Sequence, residues 1–241
     1  AYQNSLIYAK ERLSMRSLSG TKHPDKVADP IICHPDVRKM LMTQKAISEG
    51  GRAMIYYTAK LVDEIENAKT EKARKKADNR LGFITPILKA FLTELGSESA
   101  NHGLQIFGGH GFIKEWGMEQ IVRDTRISTL YEGTTGIQAL DLLGRKILMT
   151  RGKSLNAFAK EVLIFCKDQS MISNNPHKRQ MNKFIWPLDR YEHGYFLDQL
   201  GKDNNKSDKR TLKGATSNGG SFSYLEISFF NLSHGKVDCS C

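Results

Sequence analysis

QIFGGHGFIKEWGMEQIVRDTRISTLYEGTT, residues 105–135, contains five glycines and no alternation of the strand type. Its first three residues close a short helix that begins at Ser97, and the Gly108-Gly109-His110-Gly111 turn ends it. Glu119 to Leu130 reads as a further helix of mixed charge. Thr134 or Thr135 is placed to cap the next, whose apolar face carries Ile137, Leu140, Leu143, Ile147 and Leu148.

The same helical spacing extends outward. Tyr2, Leu6, Ala9, Leu13 and Arg16 form one stripe, which predicts a helix over residues 2–17 ended by Ser19-Gly20. A proline-bearing loop follows, with Pro24, Pro30 and Pro35. Pro35-Asp36 opens a long helix, because proline suits a first turn. Val37, Met40, Leu41, Gln44, Ile47 and Ala53 mark its face, to about Asn67. A third helical run ends near Leu95-Gly96, with Thr85-Pro86 as either a kink or a fresh start. Downstream, an amphipathic helix spans about Ser154 to Cys166. The expected fold is all-α, an antiparallel helix bundle over residues 1–170.

After about Leu188 the composition shifts to Gly, Asn, Ser, Lys and Asp, and residues 189–241 read as an irregular tail in which Ser221 to Leu232 alone alternates. The tail is either an out-of-frame or chimeric segment or a divergent natural end. The amino terminus, Ala1-Tyr2-Gln3-Asn4, has no initiator Met and no signal core, and reads as the inside of a helix.

No apolar run reaches the length of a membrane span. Cys33, Cys166, Cys239 and Cys241 match neither zinc-ligand spacing nor a disulfide framework, so no metal is expected and a reducing cytoplasm is the default compartment. The net charge of +10 is spread along the chain. Its densest run, Lys72 to Lys76, is flanked by Glu64, Glu66, Glu71 and Asp78 and reads as a solvated helix face. A nucleic-acid partner would rest on charge alone, and none is expected.

Chemistry is concentrated in Ser-Thr-Leu-Tyr-Glu-Gly-Thr-Thr, 128–135, where one carboxylate stands between an apolar segment and a glycine. Burial there would raise the pKa of Glu132 above the usual carboxyl value and make it a general base near neutral pH. The competing reading is a surface Glu at a helix end. The Gly108-Gly109 turn lets backbone approach a phosphate, or merely terminates a helix. It is not the dinucleotide fingerprint, since no strand precedes it.

Taken together, Gln-Ile-Phe-Gly-Gly-His-Gly-Phe, then Arg123-Asp124, then Ile-x-x-x-Tyr-Glu-Gly-Thr strongly resembles the C-terminal domain of the acyl-CoA dehydrogenase family. Tyr8-Ala9-Lys10-Glu11-Arg12, Ala28-Asp29-Pro30-Ile31-Ile32, His34-Pro35-Asp36-Val37-Arg38 and Gln138 to Lys146 extend the match. It is most similar to the bacterial subgroup that includes methylmercaptopropionyl-CoA dehydrogenase, and spans roughly residues 1–188.

The resemblance implies FAD-dependent α,β-desaturation of an acyl-CoA, with Glu132 as catalytic base and its backbone N–H as a donor to the thioester carbonyl. It implies that Gly133 lies against the substrate and that Thr134 and Gly136 touch the flavin nucleotide. Arg12, Gln105, Gly108 and Gly109 match positions that hold the FAD of a neighbouring subunit, and Arg12 suits a pyrophosphate. It further implies a homo-oligomer when full length, with electron-transfer flavoprotein as electron acceptor. Arg123 and Asp124 would form a structural ion pair. The family's two preceding domains are expected upstream of residue 1, and residues 171–188 resemble the start of an extra C-terminal helical domain. The alternative is a non-catalytic helical interaction module.

Overall fold

The computed structural model describes residues 1–171. The expected domain start beyond Met171, the 189–241 tail, and Cys239 and Cys241 lie outside them. The described residues contain helices α1 (Tyr2–Glu11), α2 (Pro35–Glu66), α3 (Glu71–Phe107), α4 (Gly109–Phe112), α5 (Met118–Ile127), α6 (Thr135–Leu140) and α7 (Lys153–Met171). Short 3-10 turns lie at Ile31–Cys33 and Lys114–Trp116, and Asp141–Leu148 is π-helical. No strand occurs among the described residues, so the all-α expectation holds; one isolated bridge pairs Leu13 with Pro30. None of these helices is long and apolar enough to cross a membrane, and no cluster of metal-binding side chains is present among them.

Among the described residues two compact units form, one from residues 1–52 and 89–135, the other from residues 53–88 and 136–171. In the first, Tyr8, Ala9, Ile31, Val37, Leu41, Ile106, Phe107 and Met118 make the core. The first helix ends at Glu11, six residues before its expected end. Arg12 turns extended (φ −68°, ψ 119°) because residues 12–31 pair with one another instead. The Ile31 N–H donates to the Arg12 carbonyl at 2.8 Å, Ser14 N–H to Asp29 O at 3.0 Å, and Asp29 N–H to Met15 O at 2.9 Å. A stripe read along the chain cannot register such pairing.

Asp29 organises that loop. Its side chain is fully buried. The carboxylate accepts the backbone N–H groups of Ser17 (2.9 Å), Lys22 (3.0 Å) and His23 (2.7 Å), and Arg16 donates at 3.4 Å. The Ser17 N–H leads in holding its carboxyl down to about 2; burial opposes this, and the His23 and Lys22 N–H groups and the Arg16 charge add to it. A depressed folded-state pKa stabilises above the unfolded value and loses that contribution as pH falls through the folded one. Asp29→Asn is therefore expected to be less stable than wild type at neutral pH, with the gap closing as pH drops from about 4 to about 2. Denaturant midpoints of both proteins across that range check this; a gap independent of pH would count against it.

The second helix matches its expected span. Val37, Leu41, Gln44 and Ile47 are buried, but Ala53 is exposed. The third helix runs unbroken through Pro86 and Gly96, so the separate helix expected from Ser97 does not exist. At Gly96 the absent side chain permits close packing: an added Cβ would stand 3.4 Å from the Thr125 methyl on α5. The run Lys72–Lys76 is exposed near the start of α3, as expected of a solvated face.

In the second unit Leu61, Phe83, Ile84, Leu142, Ile147, Leu155 and Phe158 form the core. Leu142 and Ile147 are five residues apart, the spacing that i→i+5 winding brings to one side. The Gly152 N–H donates to Ile147 O at 2.8 Å in that register. Ile137, Leu140 and Leu148, expected on the apolar face, are exposed, whereas Ile147 is buried. Arg80 pairs with Glu161 and lies 4.9 Å over the Phe158 ring. Cys166 is buried and Cys33 half-buried, both as free thiols.

Candidate active site

Arg12 stands where α1 breaks, and Gly108 where α3 breaks. Those two interruptions border one open cleft of about 370 Å³, lined by Tyr8, Arg12, Ile31, Phe107, Gly108, Gly109 and His110 among others. Gly108 has φ +58° and ψ −135°, a conformation that only glycine adopts without strain. A Cβ at Gly108 or Gly109 would meet open space. The backbone at both positions is thus accessible to a group in the cleft.

Aromatic rings support this region. Tyr8 stacks on Phe107 with ring centroids 4.1 Å apart, and His110 stacks on Trp116 at 5.1 Å. The Tyr8 hydroxyl lies 2.9 Å from His110 Nδ1. A guanidinium beside exposed, Cβ-free backbone suits a phosphate-bearing group, and the flat rings give the region a rigid base.

The second feature is the turn after α5. Glu132 has φ +54° and Gly133 φ +91°. Glutamate in the left-handed region costs about 1–2 kcal/mol. Lys89 on α3 donates to the carbonyls of Ser128 and Tyr131, the latter at 3.0 Å. Glu94, on the same helix, accepts from the Thr135 hydroxyl at 2.6 Å. The turn is therefore tied to α3 on both sides of Glu132.

The structure brings Arg12, Gly108 and Gly109 to one cleft, while Gln105 is exposed and outside that lining. Glu132, Gly133 and Thr134 follow one another in the strained turn, and Gly136 falls in the first turn of α6. The expected burial of Glu132 is not met by the described residues: its side chain is exposed in the left-handed turn that follows α5. Arg123 and Asp124 do not pair either. Adjacent helix residues point apart, and Asp124 accepts from Gln120, one turn earlier, at 2.7 Å. Of the supporting residues, His110 falls inside the quoted Gly-Gly-His-Gly motif, whereas Lys89, Glu94 and Trp116 had no distinctive spacing in sequence.

The family model "Acyl-CoA dehydrogenase, C-terminal domain" matches residues 11–148. The 3-methylmercaptopropionyl-CoA dehydrogenase of Ruegeria pomeroyi is 46% identical over 162 residues, covering 67% of this chain and 27% of that protein. Two solved structures share the fold. Caenorhabditis elegans ACDH-11 in complex with C11-CoA has a TM-score of 0.62 at 17% identity, over 95% of this chain and 35% of that one. The acyl-CoA dehydrogenase complexed with FAD from Bacillus anthracis has a TM-score of 0.52 at 18% identity, over 96% of this chain and 43% of that one. The chain spans about a quarter of the length of the curated relatives it matches. With its helical fold, its Gly108-Gly109 break and its Tyr-Glu-Gly-Thr turn, the chain belongs to the acyl-CoA dehydrogenase family, as the C-terminal domain.

Proposed function

We propose that this chain is the base-bearing helical portion of an FAD-dependent acyl-CoA dehydrogenase, in which Glu132 takes the α-proton of an acyl-CoA thioester. The observation that carries the reading is the left-handed backbone at Glu132. Strain at a carboxylate-bearing residue persists only where surrounding structure holds it, and such sites concentrate where chemistry occurs. FAD, when bound, supplies the two-electron acceptor for the β-hydride.

The α-proton passes to the Glu132 carboxylate as the α,β double bond forms, and the product is a 2-enoyl-CoA. The backbone N–H of Glu132 donates to the thioester carbonyl, where negative charge grows as the proton leaves. Gly133 lies against the substrate. Arg12 and the open backbone at Gly108 and Gly109 would hold the pyrophosphate of a cofactor shared with a second copy, and Gln105 would border it. Thr134 and Gly136 would contact the flavin nucleotide. The cation and the Cβ-free backbone lining the cleft are a donor set that fits this role. An electron-transfer flavoprotein would be the electron acceptor of the complete enzyme. Glu132 is exposed among the described residues, and bound substrate would cover it.

A second reading, a helical interaction module without catalysis, draws on exposed apolar side chains such as Phe112, Ile127 and Leu130. The two separate on purification of the complete polypeptide that carries this chain. A yellow protein that turns a saturated acyl-CoA into its enoyl product supports the enzyme. A colourless protein unable to take up added FAD supports the module.

A further inference from the structure

We propose that Lys89 is a positioning residue for Glu132, holding the base's turn in its left-handed conformation against α3. This deepens the reading of Glu132 as base and rests on it. Ser128 caps α5, and its carbonyl is among those a helix end leaves without an intrahelical partner. The Lys89 ammonium satisfies that carbonyl and, three residues on, the carbonyl of Tyr131. It also sits 5.2 Å from the Tyr131 ring centroid. The next residue is Glu132.

One cation thus does two things. It answers the partial negative charge at the C-terminus of α5. It also fixes the carbonyl of the peptide that leads into Glu132, and so the orientation of the Glu132 N–H in that same peptide plane. On the far side the Glu94 carboxylate holds Thr135. Residues 128–135 are a span anchored to one helix by two side chains, with Glu132 and Gly133 between the anchors. An anchored span suits a base whose carboxylate and N–H must meet two different atoms of one substrate. Neither Lys89 nor Glu94 has to touch that substrate.

The test uses the complete flavin-loaded polypeptide and two readouts: steady-state kinetics, and amide hydrogen exchange over residues 128–135. Lys89→Met keeps the aliphatic stem and removes the donors. It is expected to lower kcat by about 10²-fold, the scale of a misplaced catalytic group. KM should stay within about threefold, the flavin content should be unchanged, and amides 131–134 should exchange faster. Lys89→Arg, which keeps a donor cation, should recover most of the loss. Unchanged exchange with unchanged kcat overturns the proposal; so does parallel loss of kcat, flavin and global stability, which marks a merely structural lysine. Should Lys89→Met fail to fold, Thr135→Val severs the opposite anchor and must show the same split of kcat from KM. Glu132→Gln separates the two levels. If it still turns over, Glu132 is not the base, whereas faster exchange in Lys89→Met would still report the tether.

Discussion

Glu132→Gln is expected to retain flavin and lose turnover by about 10²- to 10⁴-fold, the contribution of a positioned general base. The amide is close in size to the carboxylate and leaves the backbone in place. The N–H of residue 132 remains available to the thioester carbonyl, so substrate affinity should hold while proton removal fails. Mixing the flavin-loaded variant with acyl-CoA and following the visible flavin band isolates the step. Bleaching at the wild-type rate would remove Glu132 from the mechanism. A companion substitution separates strain from chemistry. Glu132→Gly relaxes a residue held at φ +54°, so it should match or exceed wild type in stability while being as inactive as Glu132→Gln. If Glu132→Gly is instead clearly destabilised, the Glu132 side chain supports the fold, and the strain is not a cost of function.

Sequence periodicity disclosed the helices where neighbours one turn apart decide burial. The spacing of Val37, Leu41, Gln44 and Ile47 located α2, and all four are buried. It failed where partners are distant in the chain. The stripe extended through Leu13 and Arg16 on paper, but the helix stops at Glu11, and Asp29, thirteen residues beyond Arg16, draws the backbone of Ser17, Lys22 and His23 around itself instead. Gly96 looked like an end, yet α3 continues there because α5 packs close to it. The site divides in the same way. Its motif residues, Glu132 with Gly108 and Gly109, were visible as an ordered set of uncommon neighbours. Their supports were not: Lys89 and Glu94 occupy ordinary helix positions, and only the folded chain brings them to residues 128–135. The anticipated burial of Glu132 was inferred from its apolar neighbours in sequence, and the fold of the described residues leaves its side chain exposed instead.

The glycines of Gly108-Gly109-His110-Gly111 are required for different reasons, and alanine at each should reveal which. At Gly111 the limit is space. An added Cβ would lie 2.4 Å from the Leu104 carbonyl oxygen and 2.9 Å from Phe107 Cβ. Backbone cannot swing aside as a side-chain tip can, so α4 must move off α3. Overpacking of this kind costs about 1–3 kcal/mol, occasionally more. The shift would also part His110 from the Tyr8 hydroxyl, 2.9 Å away. Gly111→Ala is therefore expected to lose both stability and flavin. At Gly108 the limit is conformation, φ +58° with ψ −135°, and alanine there stores strain of about 1–3 kcal/mol. Gly109 has neither constraint: its φ is not positive, and a Cβ finds open space. Gly109→Ala should stay within about 0.5 kcal/mol of wild type, as surface substitutions do. Yet its methyl would enter the cleft proposed to hold the cofactor's pyrophosphate, so flavin retention should fall. Urea midpoints and flavin-to-protein ratios on the three variants decide the matter. Full flavin in a stable Gly109→Ala protein would mean that the cofactor does not approach this backbone, and Arg12 would then lose its assigned partner as well.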